Sequence, residues 1–86
     1  MPDIDFSTHA QDMLVERNIP KEWVWRTIDN PDRKRMGDDG NMHYIKAIRE
    51  REGRMLHIVI NPNVNPNRIV TLFFDRRMGK RNETED

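Results

Sequence analysis

Three side chains in the middle of the chain have the chemical types that acid–base catalysis requires. Tyr44 offers a hydroxyl, Lys46 offers a cation, and His57 offers an imidazole, a group that titrates near neutral pH. Cleavage of RNA by its own 2′-hydroxyl needs a base for that hydroxyl, cations for the charge on phosphorus and an acid for the leaving oxygen. The three residues therefore indicate metal-independent RNA cleavage, and Arg76 and Arg77 would add cations beside them.

These side chains are expected to lie on strands. Segments rich in Ile, Val, Thr and Phe predict antiparallel strands at 42–49, 54–61 and 68–75, with a weaker edge strand at 33–36. The strand at 68–75 would end at Arg76 and Arg77, so these two arginines would lie beside the candidate site.

Strand register decides which of these residues meet, because side chains alternate between the two faces of a sheet. If Arg49 pairs with Arg54 across the short turn, Lys46 lies opposite His57. The face expected under the helices then collects Ile45, Ala47, Leu56, Ile58, Ile60, Val70, Leu72 and Phe74. The opposite face collects Tyr44, Lys46, His57 and Thr71, bordered by Val59, Ile69 and Phe73. An alternative interpretation treats the polar members as ordinary surface pairs of a sheet.

Two helices are predicted before the strands. Thr8 and Gln11 have the spacing of a capping box, which predicts a helix that begins at Thr8, and Asn18 ends it. Pro20 fixes the start of a second helix, which ends before Pro31. The predicted fold is α+β, with two N-terminal helices packed on a three- or four-stranded antiparallel sheet.

Length and composition predict one small domain. The chain has 86 residues, of which 35% are apolar and 35% charged, and it contains no cysteine. We expect a single domain at 1–78 and a polar, disordered tail at 79–86. No apolar run approaches the length of a membrane span and the chain begins with acidic residues, so we expect a cytoplasmic protein with no membrane contact. Low apolar content without disulfides favours a homodimer.

Several classes of site have no support in the sequence. It lacks a phosphate-binding glycine loop, a nucleophile elbow and a helical zinc-protease motif, so no cofactor is expected. In the predicted register His43 and His57 point to opposite faces and His9 lies on a helix, so no metal site is expected. His9 is interpreted either as packing the helix start or as lining a site.

The opening segment at 6–20 resembles a bacterial family of small domains of unknown function, distantly similar to RelE/ParE-type toxins. The resemblance rests on the pair His9 and Ala10 followed by Glu16, Arg17, Asn18 and Ile19, and weaker strand matches extend it to Arg77. It implies a RelE/ParE-like fold, a prokaryotic or phage origin and kinship with messenger-RNA interferases. It also implies RNA or the ribosome as target and an antitoxin as partner. No catalytic role for His9, Ala10 or Arg17 comes with it.

Two functions are therefore predicted as alternatives. The first is a toxin-like RNA-binding protein or metal-independent endoribonuclease. The second is a noncatalytic interaction module, acting as a homodimer or with another protein, in which exposed Val59, Ile69, Phe73 and Trp25 form the contact surface.

Overall fold

A computed structural model describes residues 4–75 and confirms an α+β fold with two helices. The helices are α1 (Thr8–Glu16) and α2 (Lys21–Asp29). The strands are β1 (Ile4–Phe6), β2 (Arg33–Met36), β3 (Met42–Ile48), β4 (Arg54–Asn61) and β5 (Asn67–Asp75). The predicted tail at 79–86 lies outside the described residues.

The sheet has five strands in the order β1-β5-β4-β3-β2, so the prediction of three or four antiparallel strands was wrong. Strands β2 to β5 are antiparallel, as predicted, but β1 pairs with β5 in parallel, which makes the sheet mixed. Because β1 is three residues long, it is too short to show the alternation by which a strand is recognised in a sequence.

The predicted register between β3 and β4 was wrong by one residue. Lys46 lies opposite Leu56, and Ile45 lies opposite His57. The shift arises in the turn, where Arg49 leaves the strand and begins a short 3-10 helix, and the Gly53 amide donates to the Ile48 carbonyl at 2.9 Å. Since side chains alternate, a slip of one residue exchanges the two faces of β3 relative to β4.

A β-bulge changes the pairing between β4 and β5. Val59 lies opposite Thr71 while Ile60 lies opposite Ile69, so Val70 is the extra residue. Ile69 is consequently fully buried and Val70 only half-buried, the reverse of the prediction.

Ser7, and not the predicted Thr8, caps α1. Its hydroxyl accepts from the Ala10 amide at 3.0 Å and donates to the Val70 carbonyl at 3.0 Å. Its own amide donates to the Ile69 carbonyl at 3.0 Å. The cap thus satisfies a free helix amide and also fixes the start of α1 to β5.

Both helices pack on one face of the sheet, here called the helix face. The core there comprises Ala10, Met13, Leu14, Ile19, Trp23, Val24, Ile48, Leu56, Ile58, Ile60, Ile69 and Leu72. Leu56, Ile58 and Leu72 were predicted on this face and are fully buried. Neither helix of residues 4–75 has the length and apolarity needed to cross a membrane.

Candidate histidine site on the second face of the sheet

The structure does not bring together the three residues predicted to form a catalytic site. Tyr44 and Lys46 lie opposite Ile58 and Leu56, so both belong to the helix face. The Lys46 Nζ atom lies 3.7 Å from Asp32 Oδ1. His57 belongs to the other side of the sheet, because the register is shifted by one residue. Arg76 and Arg77 lie outside the described residues.

The observed register instead joins two histidines on the second face, which we define by His43, Ile45, His57, Val59, Thr71 and Phe73. The His43 Nδ1 and His57 Nε2 atoms are hydrogen-bonded at 2.8 Å, and the ring centroids are 5.0 Å apart at 74°. The prediction that these two residues point to opposite faces was therefore wrong. The sequence contained a signal for the correct faces. Ile48 is apolar and lies on the helix face, and because side chains alternate along β3, His43, five residues earlier, must lie on the second face.

A carboxylate stands at each end of this pair. Asp39 Oδ1 lies 3.4 Å from His43 Nε2, and Asp75 Oδ2 lies 3.8 Å from His57 Nδ1. The second distance is within ion-pair range but too long for a hydrogen bond, and within residues 4–75 the buried His57 Nδ1 has no hydrogen-bond partner. We call Asp39, His43, His57 and Asp75 the histidine chain. Among residues 4–75, no group of three or more potential ligand side chains is arranged to hold a metal ion.

Neighbouring groups hold each end of the histidine chain in position. The Asn41 amide donates to Asp39 Oδ1 at 3.0 Å, and this bond is the largest cause of the lowered pKa of Asp39. A Cβ atom at Gly37 would lie 2.5 Å from His43 Nε2, so only glycine lets the turn approach the imidazole this closely. The Phe73 ring stacks on His57 with centroids 4.8 Å apart.

Burial controls the electrostatics of His57, which is 5% exposed. The pKa of His57 is lowered, first because burial penalises the charged imidazole and next because of His43. Arg35 also lowers the pKa of His57, whereas Asp75 raises it. The His43 side chain is 14% exposed and therefore forms the more accessible end of the pair.

The edge strand β2 adds cations beside the pair. Its three basic residues, Arg33, Lys34 and Arg35, are all exposed. Arg35 lies opposite His43, and Arg33 lies opposite Ile45, so both arginines share the second face. Lys34 points to the helix face, where its Nζ atom lies 5.3 Å from the centre of the Tyr44 ring.

The residues of the resemblance motif lie away from the histidine chain. His9 reaches the rim of the second face, where its Nε2 atom is 3.1 Å from Thr71 Oγ1. Ala10 is fully buried in the core. Arg17 caps the end of α1, and its Nε atom contacts Met13 Sδ at 3.1 Å. Ala10 and Arg17 therefore serve the fold of α1.

The apolar surface predicted for a protein contact is not exposed. Val59 is 5% exposed and Ile69 is fully buried, while Phe73 and Trp25 are half-buried. Trp25 packs edge-on against Phe6, with ring centroids 5.5 Å apart. The large apolar residues exposed in residues 4–75 are instead Val15 and Met36.

Comparison with known families places the chain. A family model described as "Domain of unknown function (DUF4258)" matches residues 6–74. No curated protein and no solved structure matches the chain. The similarity to RelE/ParE-type toxins stays a prediction. The family match spans both helices and nearly all of the sheet, including three members of the histidine chain, and the chain therefore belongs to the DUF4258 family.

Proposed function

We propose that this protein binds RNA along strand β2 and cleaves it, without a metal ion, at the neighbouring histidine chain. One observation carries the proposal: Arg35 lies directly opposite His43 on the second face. A guanidinium that can bind a phosphate thus stands beside a hydrogen-bonded imidazole pair that can move a proton.

The binding part of the proposal rests on the charge of β2. Three consecutive basic side chains are exposed on an edge strand of the sheet, and two of them, Arg33 and Arg35, share the second face. The chain is neutral overall, but residues 33–86 hold twelve basic and eight acidic residues. Arginine pairs with phosphate through two parallel hydrogen bonds, so a local basic strand can bind a nucleic-acid backbone despite zero net charge.

The proposed cleavage transfers a single proton from the 2′-hydroxyl to the 5′-oxygen through the imidazole pair. The neutral pair removes the proton of a 2′-hydroxyl at His43 Nε2, with Asp39 displaced by the bound strand. The 2′-oxygen then bonds to phosphorus, a 2′,3′-cyclic phosphate forms, the bond from phosphorus to the 5′-oxygen breaks, and the pair returns the proton to that oxygen. Arg35 offsets the charge that develops on the phosphoryl oxygens. Tyr44 and Lys46 lie on the other face and have no part in this step.

We further propose the toxin-like role that the resemblance to RelE/ParE-type toxins implies. The protein would act in the cytoplasm as a toxin-like nuclease on free or ribosome-bound messenger RNA. A cognate antitoxin would be its protein partner.

RNA binding is tested by fluorescence anisotropy with a labelled single-stranded RNA, at salt concentrations from about 50 to about 200 mM. Replacing Arg33 and Arg35 with alanine should make the negative slope of log K against log salt shallower by about 1.4, which corresponds to two lost phosphate contacts. The matched control replaces the exposed residues Arg49 and Arg54, which lie in the turn and at the start of β4. Equal slopes for both double variants would refute binding through β2.

Cleavage is tested on the same RNA and on ribosomes carrying messenger RNA, with EDTA present. Wild type should yield products that end in a 2′,3′-cyclic phosphate, and His43→Ala, which removes the proposed base, should bind the RNA without cleaving it. Circular dichroism and a melting curve check that the variant is folded. The same RNA pattern with and without His43, or no cleavage by wild type on either substrate, would reject the nuclease part and leave the binding part to its own test.

A second candidate function is a noncatalytic interaction module. Val15 is 81% exposed and lines a groove of about 370 Å³ together with Gln11, Leu14, Ile19 and Lys21. The observation that favours a contact with a second copy or with another protein is the groove with this apolar side chain at its rim, since a single exposed apolar residue is common on a surface. If Val15→Ser converts a dimer to a monomer in sedimentation, this surface forms the dimer. A wild-type monomer at micromolar concentration would remove the homodimer from consideration.

A further inference from the structure

The number of protons on the histidine chain follows from its geometry. Two neutral imidazoles have four ring nitrogens and two N–H groups. The 2.8 Å contact between His43 Nδ1 and His57 Nε2 requires one N–H and one lone pair at the centre. One N–H and one lone pair therefore remain for the outer nitrogens, His43 Nε2 and His57 Nδ1. Both outer nitrogens face carboxylates, which only accept hydrogen bonds.

In each of the two possible proton arrangements of the neutral pair, the lone pair of one outer nitrogen faces a carboxylate, which is unfavourable. If His43 donates to His57, the lone pair of His43 Nε2 faces Asp39. If His57 donates to His43, the lone pair of His57 Nδ1 faces Asp75. A third N–H removes the conflict, because each outer nitrogen then presents a proton to a carboxylate. A fourth would set two N–H groups against each other across 2.8 Å.

We propose that the histidine chain takes up one proton, and only one, as the pH falls, and that this proton draws Asp39 and Asp75 onto the imidazole pair together. The device couples the turn that carries Asp39 with the end of β5, although the two carboxylates are contributed by segments far apart in the chain. The inference concerns proton uptake and does not depend on RNA cleavage. An effect of this proton on cleavage would rest on the proposed function.

The charged groups around His57 set the range of pH in which the proton binds. Arg35 on β2 and His43 on β3 oppose a charge on His57, and Asp75 on β5 favours it. Asp39, in the turn between β2 and β3, favours a charge on the pair from the other end. Burial is the largest influence on His57 and lowers its pKa. The pKa of Asp39 is also lowered, which separates its own titration from this event.

The test is a pH titration of the full chain by NMR, following the imidazole nitrogens and the aspartate carboxyl carbons. We expect one shared transition for His43 and His57, an uptake of one proton, and simultaneous shifts at Asp39 and Asp75. Asp75→Asn should move the transition to lower pH by about one unit, since a nearby opposite charge is lost. His9→Gln is the matched control and should leave the transition unchanged.

A second variant separates the proton coupling from simple burial of His57. In His43→Gln the amide can still hydrogen-bond to His57 Nε2 but cannot pass a proton toward Asp39, so the Asp39 carboxyl signal should no longer follow His57. Should this variant fail to fold, Asp75→Asn carries the test. Two separate transitions with two protons bound, or unmoved carboxyl signals, would overturn the inference. One-proton uptake in a protein without nuclease activity would reject the proposed cleavage and retain the inference.

Discussion

Arg51 joins three parts of the fold, and its removal is predicted to cost a large share of the stability. Its guanidinium carbon lies 5.3 Å from the centre of the Trp23 ring and 5.2 Å from that of Phe74, which connects α2 to β5. Its Nη2 atom donates to the Asn18 carbonyl at 2.9 Å, at the end of α1. Arg51→Ala removes all three interactions together.

The size of the effect can be worked from these contacts. A cation over an aromatic ring contributes about 0.5–1 kcal/mol at an exposed site, so two such contacts give about 1–2 kcal/mol. The hydrogen bond to the carbonyl is solvent-exposed and adds at most about 1 kcal/mol. We therefore expect Arg51→Ala to lower the free energy of unfolding by about 2 kcal/mol. In a domain of this size the melting temperature should fall by about 8–16 °C.

The assay is thermal melting followed by circular dichroism. Arg51→Lys should lie between wild type and Arg51→Ala, because lysine keeps the charge but has neither the planar guanidinium nor its paired donors. Arg49→Ala, an exposed change in the same turn, is the matched control and should change stability by less than about 0.5 kcal/mol. If Arg51→Ala melted at the temperature of Arg49→Ala, the reasoning about this contact would be refuted.

Three further changes test the core, the helix cap and the buried histidine. Leu56→Ala deletes a fully buried side chain and should cost about 2–5 kcal/mol, seen as a lower urea midpoint; an unchanged midpoint would show that Leu56 is not a core residue. Ser7→Ala removes the cap of α1 and should cost about 1 kcal/mol by the same measurement, and no loss would mean that the cap adds nothing. Because the pKa of His57 is lowered on folding, the unfolded chain binds more protons below about pH 6.5, so the melting temperature should fall as the pH drops from that value toward the folded pKa. His57→Gln should reduce this fall. The comparison is made above about pH 5, because Glu50, whose pKa Arg26 lowers from 4.5 to about 2, makes stability pH-dependent only below that. The same pH dependence in both proteins would contradict the assignment to His57.

Local pattern was sufficient for both helices, for four of the five strands and for part of the core. Pro20 and Pro31 bound the second helix, and the Ile- and Val-rich segments became strands. Leu56, Ile58 and Leu72 lie on the helix face as predicted, because alternation along a single strand depends on that strand alone. These features depend on short-range sequence, so a sequence can predict them.

The candidate site was predicted only in part, because it depends on register. His57 was singled out for its chemistry, but its partner His43 was placed on the wrong face by a slip of one residue. The register depends on which residue ends β3. Arg49 is compatible with the last position of a strand and with the first position of a turn, so the sequence does not decide between the two registers. The bulge at Val70 and the pairing of β1 with β5 are likewise set by contacts between distant segments.

The attachment of α1 to β5 has a consequence for how the chain folds as it is synthesised. Ser7 is bonded to Val70, 63 residues later, and β1 gains its pairing in the sheet from β5. The ribosome therefore releases α1 long before the strand on which it rests exists. Until β5 emerges, the apolar side of α1 has no sheet to cover, and a nascent chain that stops short of β5 cannot complete the core. Folding of this domain thus waits for β5, and α1 is fixed in place late although it precedes every strand from β2 to β5 in the chain.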